Sequence, residues 1–225
     1  MLGRPYVKCY APDVAELGLR ERKKERTRLQ IAETARRLFS DRGFDAVTVS
    51  EIARAAEVSE ATVFNYFATK EDLFYSGMEA FEALLVDAVR ERPVGETVLG
   101  AFRRVVVDNS ERLASSEAAD LTATAARIVA TSATLQSRER EIVERYAEAL
   151  ATLIAEETGA DPDDVEARSV ASALMAVQRA LVAHVRTRVL DGRRGPELAA
   201  DAKAQARRAF GRLDSGLGDF AAKRR

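Results

Sequence analysis

Between Thr48 and Phe74 the sequence TVSEIARAAEVSEATVFNYFATKEDLF allows only short helices, because residues suited to capping recur at Thr48, Ser59 and Thr69. Thr48 is followed three residues later by Glu51, the spacing of a capping box, in which each partner satisfies a free backbone N–H of the helix start. Ile52, Ala53 and Ala56 then form the apolar side of a helix two turns long. Glu57-Val58 predicts a tight turn, and Ser59 opens a second helix over Glu60–Tyr66. Thr69, with Asp72 at the third helical position, opens another. Two short helices joined by such a turn match a helix-turn-helix, whose second helix lies in the major groove of a duplex. That second helix carries Ala61, Thr62, Asn65 and Tyr66, small or polar, with Phe64 among them. Such a surface suits a groove better than a core.

The charge distribution points the same way. The formal net charge is −1, yet residues 1–70 carry 13 Lys/Arg against 10 Asp/Glu, and residues 71–225 carry 22 against 26. Arg20–Arg37 alone holds eight basic and three acidic residues, the pattern of localised phosphate contact or of a solvated charged helix. The single cysteine, Cys9, excludes an internal disulfide framework and a cysteine-based zinc site, and fits a cytoplasmic setting. The most apolar run, Val170–Val185, is interrupted by Gln178, Arg179 and His184, so no spanning helix and no membrane partner are expected. Residues 1–18 lack a secretory pattern. Residues 1–19 read as a flexible arm, or as a start placed upstream of the true one.

Residues 27–74 resemble the DNA-binding domain of the TetR family of bacterial transcriptional repressors. The resemblance rests on Ile31, Ala35, Leu38 and Phe39, on Gly43-Phe44, Thr48-Val49 and Ile52-Ala53, then on Val58-Ser59, the run Thr62–Phe67 and Lys70–Leu73. It covers about a fifth of the chain. One departure is Phe64, where the family most often has tyrosine; a hydroxyl contact to the DNA backbone is lost, while the ring can still touch a thymine methyl.

The resemblance implies that Glu60, Ala61, Thr62, Phe64 and Asn65 face the groove. Asn65 would bond adenine or span adjacent bases, and Glu60 would accept from cytosine or complement the helix dipole. Thr62, Tyr66 and Lys70 would hold phosphates. Thr48 corresponds to a family position near the DNA backbone, with capping as its alternative role. Arg22, Lys23, Lys24, Arg26 and Arg28 would follow the adjacent backbone or minor groove, some of them merely solvated. Val63 and Phe67 point inward.

Everything after Leu19 reads as helix, giving an all-α chain of about nine helices: a helix-turn-helix domain over residues 20–68, a helical-bundle ligand-binding and dimerisation domain over 69–213, and a flexible tail over 214–225. Predicted helices cover about Arg20–Arg42, Lys70–Arg92, Glu96–Leu113, Glu117–Thr131, Ser137–Thr158, Asp163–Leu190 with Pro162 at its start, and Pro196–Leu213. Gly43 is expected as a left-handed stop for the first. The buried stripe of the Lys70 helix is expected on Leu73, Phe74, Met78, Phe81, Leu84, Leu85 and Ala88, and that of the Glu117 helix on Leu121, Ala125, Ile128 and Val129. Glu139 is expected to face water.

The helix through Val170–Val185 is apolar almost all round, which calls for cover on two sides. One cover can be a second copy, since two-fold dimers are the commonest oligomers; the alternative is burial within one bundle. Leu174, Leu181, Val185, Val189, Ala206 and Phe210 are the expected homodimer contacts. A dimer would present two reading helices about 34–36 Å apart, or at another spacing set by the body, and so read a palindromic operator in double-stranded DNA.

The family resemblance further implies a small-molecule effector held in the body and coupled to DNA release. Asn109, Thr122, Gln178 and His184, polar residues on apolar stripes, are the candidate contacts, with Phe81, Phe102 and Met175; each can instead be an ordinary core residue. Residues 126–185 resemble a subgroup whose C-terminal half binds acyl-CoA-like ligands, with an apolar cation as the competing effector. No catalytic grouping, cofactor motif or metal-ligand spacing occurs, so no enzyme, no cofactor and no metal are expected. A helical interaction module or small-molecule binder without DNA activity is the competing class, and it leaves residues 59–70 unexplained.

Overall fold

The structure, a computed structural model, describes residues 18–217. The expectations for the arm through residue 17, Cys9 included, and for the tail from residue 218 lie outside the described residues. Among those residues the chain forms nine α-helices, one 3₁₀ turn and no strand, as an all-α reading requires. The helices are α1 (Leu19–Arg42), α2 (Val49–Ala55), α3 (Glu60–Tyr66), α4 (Lys70–Arg90), α5 (Val98–Asn109), α6 (Ser116–Thr131), α7 (Ala133–Thr158), α8 (Val165–Leu190) and α9 (Gly195–Leu217). No described helix is long and apolar enough to cross a membrane.

Two compact units result. The first runs through Phe81 and includes Thr124–Glu139; the second comprises Glu82–Ala123 and the chain from Arg140 onward. In the first unit, Ile31, Ala35, Val47, Ile52, Ala53, Val63, Phe67 and Leu73 are buried together with an aromatic cluster. The Phe39 ring lies 5.2 Å from Phe44 and 5.8 Å from Phe74, and Phe74 meets Tyr75 edge-on at 5.0 Å. Such tilted arrangements match the ring quadrupoles.

In the second unit, Phe102 and Phe210 meet edge-on at 5.9 Å, joining α5 to α9. Ala119, Ala123, Val189 and Leu198 form a further cluster, joined by Leu113 and Val185. Arg92, with its side chain 1% exposed, donates to the Val89 and Glu96 carbonyls and pairs with Glu157 at 2.5 Å. These partners compensate an otherwise costly buried charge.

Several expected boundaries move for identifiable reasons. The helix expected to reach Leu113 stops at Asn109, because Ser110–Ala114 tightens into a 3₁₀ turn in which the Ser110 hydroxyl donates to the Val106 carbonyl. Pro162 sits in a turn rather than at a first helical position; Asp164 caps α8 by accepting from the Ala167 amide. Gly43 has positive φ with ψ 164°, an extended glycine conformation in place of the expected left-handed helical one, while its amide still bonds the Phe39 carbonyl. Leu84 is exposed; Tyr75, Val86 and Val89 are buried beside Leu73 and Leu85. In α6 the buried ridge is Ala119, Ala123, Ala126 and Val129, with Leu121, Ala125 and Ile128 half-buried. Residues 214–217, expected in a flexible tail, continue α9.

Candidate nucleic-acid interface

The three short elements form as their caps dictate. The Thr48 hydroxyl accepts from the Glu51 amide at 3.2 Å, and a Glu51 carboxylate oxygen accepts from the Thr48 amide at 2.9 Å, closing the capping box of α2. Arg42 donates to the other Glu51 oxygen at 2.8 Å. The Thr48 amide, above all, and the Arg42 guanidinium hold the Glu51 carboxyl down to about 2 from its usual 4.5. Chain reversal after α2 places Glu57 at φ 56°, with its amide bonded to the Arg54 carbonyl and the Val58 amide to Ala53. The Ser59 hydroxyl then accepts from the Thr62 amide at 3.1 Å and starts α3.

α3 turns Val63 into the core and Phe67 follows it there, as expected. Glu60, Ala61, Phe64 and Asn65 are exposed, and Thr62 and Tyr66 half-exposed. Phe64 is 50% exposed, a large apolar ring left in water. The Thr62 hydroxyl lies 2.8 Å from that of Ser59, so it belongs to the cap network and faces outward from it. Arg22, Lys23 and Arg26 are exposed on the first turns of α1. Arg28 stacks over the Phe67 ring at 5.6 Å, and the Gln30 amide donates to the Ala56 carbonyl at 2.8 Å, tying α1 to the turn before α3.

Lys70 is more committed than a free phosphate clamp. Its ammonium donates to the Phe44 and Val47 carbonyls at 3.1 and 3.0 Å. One of its three donors is left for DNA. Thr48, likewise, is occupied as a cap. The supporting residues Arg42, Gln30 and Ser59 escaped the sequence reading as site residues; only Ser59 carried a local signal, its capping position.

The effector candidates fall into two groups. Thr122 donates to the Ala118 carbonyl at 2.8 Å, the Asn109 side-chain oxygen accepts from Arg112, and His184 Nε2 lies 2.7 Å from Asp201. That hydrogen bond from His184 lowers the Asp201 carboxyl below its ordinary value. Each of these three thus has a partner within the chain. Gln178, Phe81, Phe102 and Met175 are buried. A cleft of about 380 Å³ in the first unit lies instead between the end of α1 and the second half of α6, lined by residues including Phe39, Phe44, Arg127 and Ile128, and by none of the seven candidates.

The expected dimer contacts require correction. Leu174, Leu181, Val189, Ala206 and Phe210 are buried within a single chain, and Val185 packs against the Ala119–Leu198 cluster. A side chain already covered by its own bundle has no area left for a second copy. The outward positions include small residues, Ala176, Ala180 and Ala183 on α8 and Ala200 and Ala204 on α9, alongside polar ones such as Ser172, Arg179 and Arg207.

The model for bacterial regulatory proteins of the tetR family matches residues 31–76, and the model for the MftR C-terminal domain matches residues 96–218, more than half of the chain. The HTH-type transcriptional regulator TcmR of Streptomyces glaucescens is 41% identical over 93 residues, 40% of this chain and 41% of TcmR, so the match spans about two fifths of that relative. The HTH-type transcriptional repressor AcnR of Corynebacterium glutamicum is 31% identical over 74 residues, 33% of this chain and 39% of AcnR. Among solved structures, NalD of Pseudomonas aeruginosa, the secondary repressor of the MexAB-OprM multidrug efflux pump, superposes with a TM-score of 0.51 at 19% identity, covering 86% of this chain and 96% of NalD. At that identity the likeness shows the fold. A reading helix with its core residues turned in and its polar and aromatic residues turned out, on a chain matched in both halves, has one family assignment: the protein belongs to the TetR family of DNA-binding transcriptional regulators.

Proposed function

We propose that this regulator is a repressor that binds a palindromic operator as a homodimer in the cytoplasm and is released by a small hydrophobic or acyl-CoA-like effector. The observation that carries the reading is the outward face of α3, where Glu60, Ala61, Phe64 and Asn65 stand exposed on a helix fixed by the Ser59 cap and the buried Val63. Asn65 has the donor and acceptor to read adenine in the major groove, and Phe64 the apolar edge for a thymine methyl. Arg22, Lys23 and Arg26, exposed on α1, supply sequence-independent attraction to phosphates. Thr62, Tyr66 and the remaining donor of Lys70 complete the backbone contacts; Thr48 contributes by holding α2.

Residues 20–68 would form the reading domain and 69–213 the regulatory body. Pairing of two chains through the outward alanines of α8 and α9 would set the separation of two reading helices. A stripe of small residues permits close helix approach, which fits a four-helix contact. In the body, Gln178 is a buried amide on α8, three residues after the buried Met175, and is suited to orient an apolar effector. The effector acts to the extent that it binds the non-DNA-binding arrangement more tightly. That the named relative AcnR is a repressor supports the sign of regulation.

Gel-shift titration against fragments of the source genome, with excess non-specific competitor, tests this reading. A discrete complex on a few fragments, weakened steeply by salt, is the expected result. Uniform binding to all fragments, or none at low salt, contradicts it.

A further inference from the structure

Asp72 and Tyr75 stand three residues apart on one face of α4, and both engage the start of α7. The Arg138 guanidinium donates from Nε to Asp72 Oδ1 at 2.9 Å, and a second nitrogen lies 2.6 Å from the same oxygen. The buried Tyr75 hydroxyl donates to the Leu135 carbonyl at 2.9 Å and stands 3.1 Å from a Glu139 carboxylate oxygen. Glu139, expected to face water, is therefore drawn into this contact.

The same Asp72 carboxylate has a second task. Its Oδ2 accepts from the Thr69 amide at 3.1 Å, while the Thr69 hydroxyl accepts from the Asp72 amide at 3.0 Å. One carboxylate thus closes the cap of α4, three residues after α3 ends, and receives an arginine 66 positions further along the chain. An exposed ion pair with free side chains would matter little. Here the Asp72 side chain is 13% exposed and each oxygen is bound in a different direction, so Arg138 cannot move without pulling on the cap.

The geometry points to Arg138, together with Tyr75, as positioning residues for DNA reading: the first turns of α7 fix the orientation of the α4 cap and through it that of α3. α7 continues from this contact to Thr158, with its later turns in the second unit. A displacement of α7 therefore reaches the reading helix directly through Arg138 and Asp72, in parallel with any movement along α4. This inference rests on the operator-binding reading above and adds a route of regulation to it.

The test uses the full chain, the operator recovered by selection, and the same operator with one base pair inserted between its half-sites, measured by fluorescence anisotropy. A head held in fixed orientation discriminates between the two spacings. Arg138→Ala is expected to narrow that discrimination about fivefold or more, within the usual range of inter-site coupling, with affinity for random duplex and its salt slope unchanged. Arg138→Lys, which keeps the charge, should restore part of the difference. Tyr75→Phe should act in the same direction and more weakly, since its ring still packs on Phe74; it carries the test if Arg138→Ala does not fold. Unchanged spacing discrimination in the folded variants, or an equal loss on both duplexes, overturns the inference while leaving operator binding intact. Absence of any specific complex with the parent chain removes the operator reading itself, and this inference with it.

Discussion

The ammonium of Lys70 lies 4.2 Å from the centroid of the Phe44 ring and donates to the Phe44 carbonyl, so the first residue of α4 closes over the loop that leaves α1. This contact makes Lys70 a brace as well as a candidate phosphate ligand. Lys70→Ala should therefore lower the thermal midpoint, by the equivalent of about 1–2 kcal/mol for two charge-assisted hydrogen bonds and a ring contact partly replaced by water. It should also weaken all duplexes alike and reduce the salt slope by about one. Calorimetry alongside anisotropy at several salt concentrations separates the two effects. Loss of affinity with an unchanged midpoint would show the brace to be inert.

Glu57 holds φ 56° on an exposed surface, in the left-handed region that a side chain other than glycine enters at a cost of about 1–2 kcal/mol. Glu57→Gly removes that strain and gives back about 0.5–1 kcal/mol through the greater freedom of the unfolded chain. A small net rise in thermal midpoint is expected. A fall would mean that the Glu57 side chain contributes more than its exposure suggests.

The α2 capping box links stability to acid. Glu51 titrates at about 2 when folded and near 4.5 otherwise, so its contribution is complete above about 4.5 and disappears as pH falls through 2. Carboxyl chemical shifts followed by NMR should place the Glu51 midpoint well below the usual 4.5. Thr48→Ala removes the hydroxyl acceptor and should destabilise the chain by about 1 kcal/mol. A Glu51 midpoint near 4.5 in the intact chain would show that the box is open in solution.

Burial separates two kinds of substitution on α8. Leu174 is fully buried, so Leu174→Ala should destabilise each chain by about 2–5 kcal/mol. Ala183 is exposed, so Ala183→Arg should leave the fold of one chain unchanged and shift sedimentation from dimer to monomer. A dimer that survives Ala183→Arg together with Ala180→Arg would place the pairing surface elsewhere.

The limits of α3 were legible from sequence because Ser59 and Thr69 act on amides three residues away, within the same short window. The inward positions Val63 and Phe67 were legible for the same reason: helical period fixes them once the start is fixed. α8 was misread because alanine counts as apolar whether it faces core or water. Alanines occur on both faces, Ala167 and Ala171 inside with Leu174, Met175 and Leu181, and Ala176, Ala180 and Ala183 outside with Ser172 and Arg179. Arg138 and the second role of Asp72 had no local signal, since their contact joins residues 66 apart. Tyr75 left none either, since it lies off the buried stripe expected for this helix and finds its hydroxyl partners only in the fold. The effector candidates Asn109, Thr122 and His184 were legible as polar residues on apolar stripes, but the partners they have within the chain were not.

Sequencing of duplexes selected from a random pool, by the parent chain and by Asn65→Ala in parallel, tests the central claim most directly. The account predicts an inverted repeat for the parent chain, and for Asn65→Ala the same repeat with relaxed preference at one or two positions per half-site, each by about 1–3 kcal/mol. A single unrepeated motif, or identical preferences from both proteins, would contradict it.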